Sequence, residues 1–176
     1  MDAVVDLARH AIGEDQLMEI PFHFYDLNTK ANYRLNNKNR LFFSGYFGRD
    51  KFSYSTGTQN NSNFNWGNYT GTIRWNHIFN EKLFSNFTLL ASNYDYLLDN
   101  EFTVGREKRT FAFEYGAYVK DFSAKMDFTY YLNKDHTIRF GMRSIYHDFN
   151  MGDIDGRQDT VRFEFKMPAI QSLETA

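Results

Sequence analysis

Residues 121–149 read DFSAKMDFTYYLNKDHTIRFGMRSIYHDF. In the first half one parity carries Phe122, Ala124, Met126, Phe128, Tyr130 and Leu132, and the other carries Ser123, Lys125, Asp127, Thr129 and Tyr131. That period of two is the signature of a strand with one apolar and one wet face. Asn133–His136 turn the chain, and beyond them Ile138, Phe140, Met142 and Tyr146 oppose Arg139, Arg143 and His147. The spacing predicts a hairpin of two antiparallel strands of roughly a dozen residues each, about twice the usual soluble length. Strands of that kind suit a membrane-spanning barrel, with lipid on one side and water or packed polar groups on the other.

The same alternation recurs before this hairpin. Tyr25, Leu27, Thr29, Ala31, Tyr33 and Leu35 oppose Asp26, Asn28, Lys30, Asn32 and Arg34, and residues 36–39 form a polar turn. A second strand is expected over residues 40–54, with rings on both parities. A third runs from Phe64 to Phe79, and a fourth follows the turn at residues 80–82. Polar stretches at 56–63, 98–109 and 151–159 read as long loops, and a seventh strand is expected over Val161–Met167, ended by Pro168. Short turns and long loops therefore segregate to opposite ends, as in outer-membrane barrels. Tyr33, Leu35, Trp75, Phe79, Phe84, Tyr130 and Tyr131 gather near the short turns, as an interfacial aromatic girdle would. A large soluble antiparallel sheet has the same hairpins. Residues 1–20 differ: Val4, Leu7, Ala8, Ala11 and Ile12 recur at helical spacing before Gly13, which predicts a short helix or structured loop. The fold class is all-β, an antiparallel meander over residues 21–176 forming part of a transmembrane barrel of about six to seven strands.

Composition narrows the function. Twenty basic residues against 22 acidic ones leave a net charge of -2, so no broad basic surface is offered to nucleic acid. Aromatic residues make up 19% of a chain whose mean hydropathy is -0.61, and cysteine is absent. A disulfide framework and a thiolate metal site are thereby excluded. No apolar run is long enough for a transmembrane helix, which leaves transmembrane strands open. The first twenty residues lack a basic region followed by an apolar one, so no signal peptide is expected there; an internal piece of a longer protein fits that start.

Several phrases carry a family resemblance. Phe24–Asn28 (FYDLN), Arg40–Asp50 (RLFFSGYFGRD), Trp75–Phe79 (WNHIF), Phe84–Thr88 (FSNFT) with Ser92–Tyr96 (SNYDY), and Asp127–Asn133 (DFTYYLN) resemble the barrel portion of TonB-dependent outer-membrane receptors of the Bacteroidetes type. The resemblance covers residues 22–176. It implies a fragment of a 22-stranded barrel that, with a plug domain, imports a nutrient or chelate using energy passed through TonB, in company with a surface lipoprotein. Six or seven strands are too few for that barrel, and the plug has no counterpart here. The resemblance places the chain in the bacterial outer membrane, with lipid, the remainder of the barrel and the plug as partners.

No nucleophile motif, phosphate loop or helical zinc motif occurs, so no enzyme and no cofactor are expected. Asp26, Arg34, Arg74, Lys125, Asp127, Arg139 and Arg143 are candidates for the lumen-facing side, where salt bridges between neighbouring strands are the structural alternative. Phe52, Tyr54, Phe64 and Trp66 are candidate substrate contacts on extracellular loops. Asp153, Asp155 and Asp159 around Gly156 resemble part of a calcium loop without its helices, and otherwise belong to a solvated loop. Two other readings stay open. One is a self-contained barrel holding an apolar ligand, which needs the apolar parity inside. The other is a complete eight-stranded outer-membrane barrel with a structural or adhesive role, drawing one more strand from residues 1–20 or 98–113.

Overall fold

The computed structural model describes residues 21–56, 60–105 and 109–176. The helix or loop expected over 1–20 lies outside them. Among the described residues, one antiparallel sheet contains β1 (Phe22–Arg34), β2 (Asn39–Thr56), β3 (Asn60–Ile78), β4 (Leu83–Val104), β5 (Arg109–Tyr131), β6 (Thr137–Gln158), β7 (Val161–Phe165) and β8 (Ile170–Thr175). Strand order in the sheet follows chain order from β1 to β7, and β8 also pairs with β6.

The three turns at the lower end share one device. Asn36, Asn80 and Asn133 each turn their side-chain oxygen back onto the backbone, accepting from the N–H of Lys38 at 2.9 Å, of Lys82 at 2.9 Å and of Asp135 at 3.0 Å. An asparagine that caps its own turn in this way fixes loop length, and with it the register of the strands on either side.

The long loops expected at the upper end are strand instead. β2 and β3 pair from Asn39↔His77 up to Thr56↔Asn60, β4 and β5 pair as far as Val104↔Arg109, and β6 runs on to Gln158. Long and short connections are therefore not segregated. Asn60–Asn63 and Asp99–Glu101 look like loop because their side chains are polar, yet the backbone ladder continues and Ser62 Oγ lies 2.5 Å from Asn100 Oδ1 across it. Residues 98–104 and 109–113 extend β4 and β5 rather than forming an additional strand.

The seventh strand is interrupted, and β8 was not foreseen. Ile154↔Phe165 and Phe149↔Ile170 belong to one register, so β7 and β8 are two segments of a single edge strand broken at 166–169. Pro168 has no N–H to give to a ladder. Side chains of β6 replace the missing bonds: Asp153 Oδ1 accepts from the Met167 N–H at 3.0 Å, and Asn150 Nδ2 donates to the Met167 carbonyl at 3.0 Å. Opposite the break, the β5–β6 register slips by one residue between Gly116 and Tyr118, and Gly152 takes φ 139°. The Tyr115 ring occupies the place of a Cβ on Gly152. A side chain there is excluded on both counts.

β1 on one side and β7 with β8 on the other are free edges among the described residues, so these strands do not close into a barrel by themselves.

Asn150 is 8% exposed and holds the break. Asn150→Ala is expected to lower unfolding free energy in detergent micelles by about 1–3 kcal/mol, the cost of orphaned buried polar groups. Asn63→Ala, at an exposed position, is expected to change it by less than about 0.5 kcal/mol.

Candidate functional site, an aromatic shelf on the back of the sheet

Register determines which side chains share a face. On the front, Tyr33, Leu41, Trp75, Phe87, Met126 and Met142 form one line across six strands, followed by Ala31, Phe43, Ile73, Leu89, Ala124 and Ser144. Trp75 stacks on Phe87 at 5.2 Å and Phe128 on Phe140 at 5.1 Å, so rings gather at the lower margin of this apolar field. Tyr33, Trp75, Phe79 and Tyr130 belong to that margin, whereas Phe84 and Tyr131 lie on the back. Exposure is high: Leu27 65%, Leu89 60% and Met142 65%. Along β3 the field runs from Tyr69 to Phe79, roughly 24 Å when projected at a 45° tilt, close to the height of a barrel's lipid-facing band.

The back is polar over the same span. Arg34, Arg74, Lys125, Asp127, Arg139 and Arg143 lie on it, Asp26 stands on the same face just above that span, and Arg74, Lys125 and Arg143 fall in one line. Lys125 meets Asp127 at 2.9 Å, Arg34 donates to Asn37 at 2.8 Å, and Asp121 Oδ1 lies 2.7 Å from His147 Nδ1.

Above Phe47 and Tyr69 the two faces exchange character. On the front, Arg49 reaches across β3 to Asp95 at 2.9 Å and donates to Asn65 at 2.9 Å. Gly67 makes that crossing possible, since a Cβ on it would lie 3.0 Å from Arg49 Nη1. Higher up the front carries Arg157 with Glu101, Arg162 with Asp155, and Lys166 with Glu164. Hydrogen bonding from Arg162 holds the Asp155 carboxyl below its ordinary range.

The upper back is aromatic. Ring centroids run from Phe24 to Phe22 (5.8 Å), Trp66 (6.3 Å), Phe64 (4.6 Å), Tyr96 (6.1 Å) and Tyr115 (5.7 Å). Phe64 and Trp66 are therefore brought together, and Phe52 lies between Phe22 and Phe64 in the register. Tyr54 makes no ring contact among the described residues. All four sit on β2 and β3, not on loops. Phe22, Phe24, Tyr96 and Tyr115 were missed, although Phe22 with Phe24 and Tyr94 with Tyr96 carry the i, i+2 signal that marks Phe64 with Trp66.

The calcium candidates are strand and turn residues with separate tasks. Asp153 holds Met167, Asp155 pairs with Arg162, and Asp159, at φ 52°, accepts from the Thr110 N–H at 3.0 Å. Among the described residues, no group of three or more His, Asp or Glu is placed to hold a metal ion.

The Tyr96 phenol is pushed up from 10.0 to about 12, first by its hydrogen bond with Tyr115 and then by burial. Tyr115 gives its own proton to the Met151 carbonyl at 2.5 Å, which leaves its oxygen free to accept. Because the folded state holds this proton more tightly, the stabilisation is complete below pH 10 and is lost as pH rises toward 12. Tyr115→Phe is expected to return one tyrosinate absorbance transition toward 10, and an unchanged titration would contradict the assigned bond.

No protein-family model matches the chain, and no curated protein compared with it matches. Among solved structures, the ferric yersiniabactin uptake receptor FyuA from Yersinia pestis is similar at a TM-score of 0.65 and 12% identity, over 89% of this chain and 26% of the receptor. CarO of Acinetobacter baumannii aligns over 83% of this chain and 81% of its own at 9% identity, with a TM-score of 0.27 that bears no weight. The chain spans about a quarter of FyuA, 26% of its length, and what the likeness establishes is the fold: an antiparallel meander of long strands like a section of that receptor.

Proposed function

We propose that this chain is a non-catalytic wall segment of an outer-membrane barrel belonging to a TonB-dependent uptake receptor. The exchange of faces along the strands carries the reading. A strand of 23 residues, such as β5, is about twice what a bilayer crossing needs, so its upper half stands in water. In such a wall the outside changes from lipid to water where the front changes from apolar to charged. The back is then lumen throughout, polar at membrane depth and aromatic above it. Likeness to a section of an uptake receptor supports the same architecture. That receptor is from Yersinia, and it supports the receptor reading without the Bacteroidetes subtype. Lipid meets the front, the free edges of β1 and β7–β8 pair with the remainder of the barrel, and the shelf contacts substrate entering from outside. Plug, TonB and a surface lipoprotein complete the assembly on the strength of the resemblance alone.

A second reading has one observation in its favour. A shallow trough of about 690 Å³ crosses the front, lined by Thr29, Gly45, Gly71, Ala91 and neighbouring apolar side chains. With that face turned inward, it would hold an apolar ligand.

The two tryptophans separate the readings, since Trp75 lies on the front and Trp66 on the back. In lipid vesicles, acyl chains brominated near the headgroup are expected to quench Trp75 in a Trp66→Phe variant. Trp66 in a Trp75→Phe variant is expected to be quenched by aqueous acrylamide alone. The opposite pattern, or a soluble sheet in plain buffer, would support the inward-facing trough. Leu89→Arg, in the middle of the apolar field, is expected to cost about 2–4 kcal/mol in the bilayer, whereas Arg143→Lys on the back stays within about 0.5 kcal/mol.

A further inference from the structure

The shelf has a charge asymmetry that stacking alone does not need. On β1–β4, the upper back face carries the carboxyl groups of Asp26 and Asp50 and no Lys, Arg or His among the described residues. His23, Arg49 and Lys51 all fall on the front. Lys30 is the first cation below, and Arg109 stands three strands from Asp50 at the upper end of β5.

Asp50 is set among rings. Its partners in the register are Phe24 on β1 and Trp66 on β3, and the Phe22 ring crosses β2 to come 6.3 Å from that of Trp66. Neither Asp50 nor Asp26 makes a side-chain hydrogen bond or ion pair among the described residues. A carboxylate in an aromatic surround, with its counter-charge missing, is complementary to an organic cation. Ring faces attract a cation within about 6 Å through their quadrupole, and weakly hydrated ammonium groups gain most from that contact.

We propose that the Asp50 corner of the shelf binds an organic ammonium group, seated against Trp66 and Phe24 with Asp50 as its counter-charge. The site selects a positively charged portion of the incoming molecule and disfavours anionic ones. This rests on the shelf facing water, as the barrel reading has it.

The test uses the full chain with Trp75→Phe, so that Trp66 alone reports, in uncharged detergent micelles. Phenyltrimethylammonium is titrated beside benzyl alcohol and benzenesulfonate, a neutral and an anionic ring. A saturable change in Trp66 fluorescence is expected with the cation only. Asp50→Asn is expected to weaken it roughly tenfold, the size of one charge-assisted contact. Asp99→Asn on the front is expected to leave it unchanged, and circular dichroism confirms that each variant retains its sheet. Equal binding of benzyl alcohol or benzenesulfonate, or cation binding indifferent to Asp50→Asn, overturns the proposal. Acrylamide separates the two claims: quenching of Trp66 without cation binding removes the cation site and leaves the barrel facing intact, whereas a shielded Trp66 removes both.

Discussion

Everything in this sheet depends on an unbroken backbone ladder. All 22 residues of β4 have partners on β5, and β2 and β3 are paired with the same continuity. A one-residue slip would carry every side chain to the wrong face, so the asparagine turns and the continuous ladder fix parity over the whole strand length. With parity fixed, surroundings can change along a strand only through a change in which parity is apolar. β3 does this plainly: Ile73 and Trp75 are on the front, while Phe64 and Trp66 are on the back. The Arg49–Gly67–Asp95 bridge marks the crossing on the front.

The one place where the ladder is broken shows what continuity requires. Around Pro168, backbone bonds are lost and are supplied instead by Asn150 and Asp153. The β6 bulge at Gly152 lies directly opposite, so the irregularities of neighbouring strands are matched rather than scattered. The edge strand is thereby divided into β7 beside the charged upper front and β8 beside the apolar field, without loss of register.

The lower half of the fold was legible because three conditions coincide there. Alternation keeps one phase, the strands reach their turns at Asn36, Asn80 and Asn133, and few large aliphatic side chains, Ile78, Leu90 and Ile145, fall on the face of the charged ones. The seven charged residues consequently fall on one face, as their alternation implied, although alternation does not say what that face meets. Above residue 64 of β3 and residue 97 of β4 the same procedure fails. Asn60–Asn63 have no apolar member, and beyond them the rings occupy the other parity, so a window tuned to one phase reads loop. In β6 the extra residue at the bulge shifts the phase again, which hid Asp153 and Asp155 as strand residues. β8 is six residues long and follows a proline, and its pairing with β6 is a property of register that local sequence does not carry. The shelf was half visible for the same reason: its rings come from the five strands β1–β5, and only Phe52, Tyr54, Phe64 and Trp66 stood in stretches already suspected of binding.

The exchange of faces is tested most directly by single cysteines introduced at successive positions 61–76 of β3 in this cysteine-free chain, spin-labelled in lipid vesicles. Accessibility to oxygen, which partitions into lipid, and to a water-soluble nickel chelate is then measured at each site. A lipid-to-water change on the front alone gives a period of two from Tyr69 to Trp75, odd positions favouring oxygen and even ones the chelate, that disappears at positions 61–66, where both parities favour the chelate. Oxygen preference at odd positions 61–65, or chelate access at Ile73, would contradict it.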